Sequence, residues 1–96
     1  MVLKQDVVQY KGPSSDVTVA GGAMGNIDLK LQPSKLNNVL KVLGVKSISG
    51  LPDNVLLAGF SFPDNSTLRL RVKNTASGDV TVSANSVTAE VLVEGI

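Results

Sequence analysis

From Thr67 onward, apolar and polar residues alternate through three consecutive runs, at 67–74, 79–83 and 86–94. A period of two is the mark of strands with one buried and one wet face. In the first run Leu68, Leu70 and Val72 point inward and leave Arg69, Arg71 and Lys73 in solvent. An earlier run repeats the pattern, with Ile27, Leu29 and Leu31 opposed to Asp28, Lys30 and Gln32. Val87, Ala89, Val91 and Val93 continue the inner face, and Leu56, Ala58, Phe60 and Phe62 are expected to supply its bulkiest part.

Clusters rich in Gly, Pro, Asn, Asp and Ser interrupt these runs at 12–15, 21–22, 32–34, 50–54, 63–65, 76–79 and 84–85. Such residues provide the backbone angles that turns require. Their spacing of about ten residues is the rhythm of a β-sandwich or barrel. The pattern predicts strands near Val2–Tyr10, Asp16–Ala20, Asn26–Gln32, Val39–Ile48 (with a break at Gly44), Val55–Phe62, Thr67–Asn74, Asp79–Ser83 and Ser86–Glu94. The expected class is all-β: an antiparallel, jelly-roll-like β-sandwich of about eight short strands, as one domain over residues 1–96.

The segment from Ser34 to Gly44 carries two signals. Leu36, Val39, Leu40 and Leu43 fall at helical spacing, with Ser34 as N-cap and Gly44 as stop, which describes a short helix near 35–43. Against this, Asn37-Asn38 is a turn signal and the residues from Val39 to Val45 favour a strand. Either outcome leaves the sandwich intact.

Composition narrows the chemistry. Hydrophobic residues make up 43% of the chain but aromatic residues only 3% (Tyr10, Phe60 and Phe62), so the core must be built from Val, Leu and Ile. A formal charge of +1 offers no electrostatic case for nucleic acid or anionic lipid as partner. Cysteine is absent, which removes disulfides and thiolate metal sites. The first residues lack the apolar run of a signal peptide, and no apolar stretch approaches the roughly 20 residues that span a bilayer. A soluble product made in the cytoplasm is expected.

Candidate sites are few. There is no His, and the eight carboxylates are scattered. Asp16, Asp53, Asp64 and Asp79 lie in or beside turns, where side-chain capping outweighs a calcium site at Asp53 and Asp64. Gly21-Gly22-Ala23-Met24-Gly25 lacks the Lys-Ser or Lys-Thr ending of a phosphate loop. Asn65-Ser66-Thr67 matches a glycosylation sequon without a secretory context. A serine nucleophile would need a Lys base that no motif nominates. No catalytic, metal or cofactor-binding residue is therefore assigned. Two surfaces remain as interface candidates. One is the basic stripe Arg69, Arg71 and Lys73, read as a solvated face or as contact with an acidic partner. The other is the apolar N-terminal set Val2, Leu3, Val7, Val8 and Tyr10, read as the domain's own first strand or as an arm or edge strand (1–12) that pairs with a neighbour.

The second half of the chain carries a resemblance. Gly-Leu-Pro-Asp-Asn-Val-Leu-Leu-Ala-Gly-Phe-Ser (50–61) is followed by Pro-Asp-Asn-Ser-Thr-Leu-Arg-Leu-Arg-Val-Lys-Asn-Thr-Ala-Ser-Gly-Asp-Val-Thr-Val (63–82) and by Ala-Asn-Ser-Val-Thr-Ala-Glu-Val-Leu-Val (84–93). This order of Leu-Pro turn, strand, Asp/Asn turn, strand, small-residue hairpin and final strand resembles small structural proteins of tailed bacteriophages. The resemblance implies a non-enzymatic β-sandwich of the virion, either a head-decoration (cement) protein that bridges capsomers or a tail component. It transfers no site residues. As implied partners it gives the major capsid protein or other virion proteins, with a homotrimer favoured, a place on the capsid surface, and neither nucleic acid nor membrane as ligand. The alternative is a ligand- or carbohydrate-binding adhesion or tail module, which the scarcity of aromatic platforms disfavours.

If the face assignment holds, Leu70→Ala costs about 2–5 kcal/mol of stability, and Arg71→Ala changes it by less than about 0.5 kcal/mol. Chemical denaturation of the two variants checks this.

Overall fold

A computed structural model describes residues 2–96. Its elements are β1 (Lys4–Gly12), β2 (Val17–Val19), β3 (Met24–Leu31), β4 (Val39–Ser49), β5 (Val55–Asp64), β6 (Thr67–Asn74), β7 (Val80–Val82) and β8 (Val87–Gly95), with no helix among the described residues. The all-β expectation is met. All pairings are antiparallel, in a six-stranded sheet of order β4-β8-β1-β3-β6-β5 and a two-stranded ribbon of β2 and β7.

The large sheet is staggered. β1 meets β3 through only two residue pairs, Tyr10 with Leu31 and Lys11 with Lys30. One further bond, from Gln32 N to Gln9 O at 2.8 Å, lengthens the seam. From there the two antiparallel strands run apart. β1 continues along β8 from Gly12 to Lys4, and β3 continues along β6 from Lys30 to Met24. The sheet is thus two three-stranded units, β4-β8-β1 and β3-β6-β5, overlapping at their ends. Its stagger produces a body of 52 × 20 × 19 Å. The radius of gyration, 14.2 Å, exceeds the roughly 12.5 Å of a compact chain of this length.

Close backbone approach seals the seam. A Cβ on Gly12 would collide with the Asp28 carbonyl oxygen and stand 3.0 Å from the Leu29 Cα, so the crossing needs glycine. The Tyr10 hydroxyl donates to Asn65 O in the β5–β6 turn. The Asn65 amide in turn donates to Val39 O and Leu40 O, at 3.2 and 3.1 Å, at the start of β4. One tyrosine and one asparagine thereby tie the two units together.

β4 explains why two periodicities coexisted in the sequence. Val39, Val42, Val45 and Ile48 pair with Gly95, Val93, Val91 and Ala89, and register shifts separate each from the next. Each shift inserts one extra residue, so inward side chains recur every third position rather than every second. A period of three lies close enough to 3.6 to imitate a helix. The short helix near 35–43 is therefore a correction: residues 33–38 are irregular and β4 runs unbroken through Gly44.

The core is one cluster. It takes Val8 and Tyr10 from β1, Ile27 and Leu29 from β3, Leu68, Leu70 and Val72 from β6, and Val87, Ala89, Val91 and Val93 from β8. The ribbon adds Val19 and Val82, and it lies over the β3–β6 face, where a Cβ on Gly25 would come within 3.1 Å of Val19 Cγ2. Asn74, fully buried at the end of β6, holds it there. Its amide donates to Val19 O and Gly78 O, both at 2.9 Å, and its side-chain oxygen accepts from Ala76 N at 2.9 Å. Of the four aspartates expected in turns, Asp64 caps its own turn by accepting from Ser66 N, while Asp16 and Asp79 accept from Ala84 N and Gly21 N of distant segments.

The inner face assigned to β5 needs correction. A register shift between Leu57 and Gly59 places Ala58 in a bulge, so the alternation reverses there. Leu57 and Phe60, which pair with Val72 and Leu70, share their face. Leu56 lies opposite Lys73 on the outside. Because β5 is the edge of the sheet and the ribbon stops over β3 and β6, Leu56 and Phe60 stay 55% and 52% exposed. Phe62 alone of the expected bulky set packs against the core, edge-to-face with Tyr10 at 5.7 Å.

Asn74→Ala removes three hydrogen bonds, one of them buried and two partly buried, and takes a donor from two backbone carbonyls. It is expected to cost about 2–4 kcal/mol, more than any exposed Asn-to-Ala change such as Asn26→Ala, as read by urea denaturation.

Candidate functional site

The outer face of the β3-β6-β5 unit carries most of the polar chemistry. Register sets it out in rows across the three strands. Asp28, Arg69 and Ser61 form one row, Asn26, Arg71 and Gly59 the next, and Met24, Lys73 and Leu56 the third. Directly opposed side chains on one face stand close enough to interact. Arg69 uses this in a two-pronged contact with Asp28, Nε to Oδ1 at 2.9 Å and Nη2 to Oδ2 at 3.2 Å. The Asp28 hydrogen bonds and charge raise the Arg69 pKa further. Both partners are largely exposed, so the pair adds little stability. Its effect is positional, since it draws the Arg69 guanidinium toward β3.

Arg71 is different. Among the described residues it has no ion pair and no side-chain hydrogen bond. Its neighbour on β3 is the neutral Asn26, and its neighbour on β5 is Gly59, where an added Cβ would meet nothing within 4 Å. An open depression of about 410 Å³ lies here, lined by Asn26, Gly59, Phe60, Ser61, Arg69 and Arg71. A second, of about 400 Å³, shares Asn26 and Arg69 and extends past Asp28 to Pro13, Ser14, Ser15 and Val17. The surface offers one uncompensated guanidinium, an amide and a hydroxyl beside exposed apolar carbon. That arrangement suits binding of a carboxylate or another anion.

The structure separates the predicted interface residues. Arg69, Arg71 and Lys73 stand together on β6, as the alternation required. Val8 and Tyr10 are corrected: both lie in the core and present no surface. Val2 and Leu3 precede β1 and are 71% and 50% exposed, and Val7 points outward opposite Leu92. By strand register Val7 sits roughly 25–30 Å from Arg71, at about 3.3 Å per residue on either side of the seam. β1 pairs with β8 along its whole length, so it is the domain's own strand and no detached arm, although residues 4–8 have no strand on their other side. Asp53 and Asp64 flank opposite ends of β5 and cannot share an ion. No group of three or more His, Cys, Asp or Glu poised for a metal is present among the described residues.

Asn26, Gly59, Phe60 and Ser61 were not singled out from the sequence. Only the pairing of β6 with its neighbours brings them around Arg71, and a period-two pattern says which face a residue occupies without saying what stands beside it. Phe60 was read as core because its face is the inner one; only its place on the edge strand, beyond the cover of the ribbon, leaves it exposed. Comparison with known protein families, with curated proteins and with solved structures returns no match for this chain.

At the seam, burial and the nearby Asp64 charge push the Tyr10 hydroxyl above its ordinary value. Hydrogen bonds from Ser66 hold Asp64 below its own. A folded-state pKa raised for Tyr10 stabilises the fold fully below the ordinary value of 10.0 and is lost as pH climbs above it. Alkaline denaturation followed by phenolate absorbance is expected to show Tyr10 ionising late and together with unfolding. Tyr10→Phe should cost about 1 kcal/mol at neutral pH and flatten the alkaline decline.

Proposed function

We propose that this chain is a non-enzymatic structural subunit of a tailed-phage virion, a head-decoration or cement protein that binds across neighbouring capsid proteins. The reading rests on the resemblance at 50–61, 63–82 and 84–93. The structural observation that supports it is the β5 edge, which keeps Leu56, Leu57 and Phe60 in solvent on an elongated all-β body. A narrow rod with an apolar free edge is suited to lie along a junction and bury area on two sides. Each specific contact of standard size buries about 800 Å² per partner, and repetition over a lattice multiplies weak contacts into avidity. In this reading the chain is made in the host cytoplasm and ends on the capsid surface, with the major capsid protein as partner. A trimer would place three such rods about a threefold junction.

A second reading, a carbohydrate- or ligand-binding module of a tail or adhesion structure, draws on one observation. Phe60 is exposed beside the depression that holds Asn26, Ser61, Arg69 and Arg71. An aromatic face next to hydrogen-bonding groups is the ordinary composition of a sugar site.

Co-sedimentation with purified phage shells, coupled to sedimentation analysis of the free protein, separates the two. Saturable shell binding, higher resistance of the shell to heat, and a trimer in solution are the expected results. Binding to a glycan array without shell binding would reverse the order of the readings.

A further inference from the structure

We propose that the free edge of β5 accepts an extended acidic segment of another protein as a seventh strand, with Arg71 as the charge that selects it. The inference does not depend on the viral assignment, because it follows from the edge itself. β5 pairs with β6 on one side only. Among the described residues, no turn or side-chain hydrogen bond reaches positions 56–62. Its open side therefore presents unpaired backbone donors and acceptors, which is the template for strand addition.

The two edges of the sheet are not equivalent. β4 is interrupted by three register shifts and carries Lys41 and Lys46, devices that blunt an edge against pairing. β5 from Val55 to Ser61 carries no charge and one bulge, at Ala58; its second irregularity, with Pro63 and Asp64, is confined to the end of the strand. The side left open is also the side with exposed Leu57 and Phe60. An uncharged, largely apolar edge over seven residues is open to pairing.

Charge chooses between a second copy and a foreign segment. An added strand lies about 10 Å from β6, two strand spacings away. The β5 residues between them on the outer face are Gly59 and Ser61, which leave the path from Arg71 to the new strand clear. A Glu on the added strand and Arg71 can reach toward each other across this gap. Edge-to-edge pairing with a second copy would instead lay another uncharged β5 stretch along the edge, so that no carboxylate faces Arg71 and both copies' Arg71 side chains, about three strand spacings apart, stay uncompensated. On the opposite face, alternate residues of the added strand meet Leu57 and Phe60. The matching segment alternates acidic with apolar residues.

The test uses the full chain and a peptide of about ten residues alternating Glu with Val, its counterpart with Lys for Glu, and amide-resolved NMR. The Glu peptide is expected to shift amides of β5 and the facing positions of β6, and to bind at least about tenfold more tightly than the Lys peptide. Arg71→Glu should reverse that preference, and Phe60→Ser should weaken both peptides. Both sites are exposed, and far-UV circular dichroism verifies the fold. Shifts confined to another surface, equal affinity for the two peptides, binding of neither, or a β5-paired homodimer in solution would each overturn the proposal. Peptide binding without shell binding removes the viral reading and leaves this one standing; shell binding without peptide binding does the reverse.

Discussion

Two residue pairs hold the large sheet together. Tyr10 with Leu31 and Lys11 with Lys30 are the whole of the β1–β3 ladder, and the stagger on either side of them sets the length, thickness and edges of the molecule. So short a ladder could not fix the relative orientation of two three-stranded units by itself. The Tyr10–Asn65 bond and the Asn65 contacts with Val39 and Leu40 supply the missing constraint, because they join the turn of one unit to the first residues of an edge strand of the other. Glycine at position 12 lets the backbones come close enough for these bonds to form. Leu29, Tyr10 and Phe62 then pack across the same crossing.

Strand positions were legible wherever the period stayed at two. β6 was bounded correctly at Thr67 and Asn74, and β8 was displaced by one residue at each end. In both, the inward residues form an unbroken buried row, so pattern and packing agree. The reading failed at bulges. A period of three in β4 is neither strand nor helix by simple count, and a single inserted residue in β5 put Leu56 on the outer face and Leu57 on the inner one. Bulges arise from how a strand must coil to follow its neighbour, and that neighbour is not written in the strand's own residues.

The site was half legible for the same reason. Alternation correctly set Arg69, Arg71 and Lys73 in solvent on one face. It could not show that Arg69 is engaged by Asp28 while Arg71 faces a glycine, because that difference belongs to the pairing of three strands. Apolar character alone also misled at the N-terminus. Val7 and Val8 look alike in sequence, yet β pleating sends one outward and the other into the core, so only Val2, Leu3 and Val7 of that set keep any surface.

Thickness then bears on what kind of action the fold supports. A cross-section of 20 × 19 Å accommodates about two packed layers, since sheets stack roughly 10 Å apart. Both layers are committed to the Val- and Leu-rich core, and the depressions around Arg69 and Arg71 open directly to solvent. Desolvation, which strengthens electrostatic interactions in a closed site, therefore has to come from whatever covers the surface. A segment laid along β5 would provide it, excluding water from Leu57 and Phe60 on one side while approaching Arg71 on the other. Binding strength at this edge then depends on how completely the partner covers it, and a partial cover would leave the Arg71 interaction at its weak, salt-screened value.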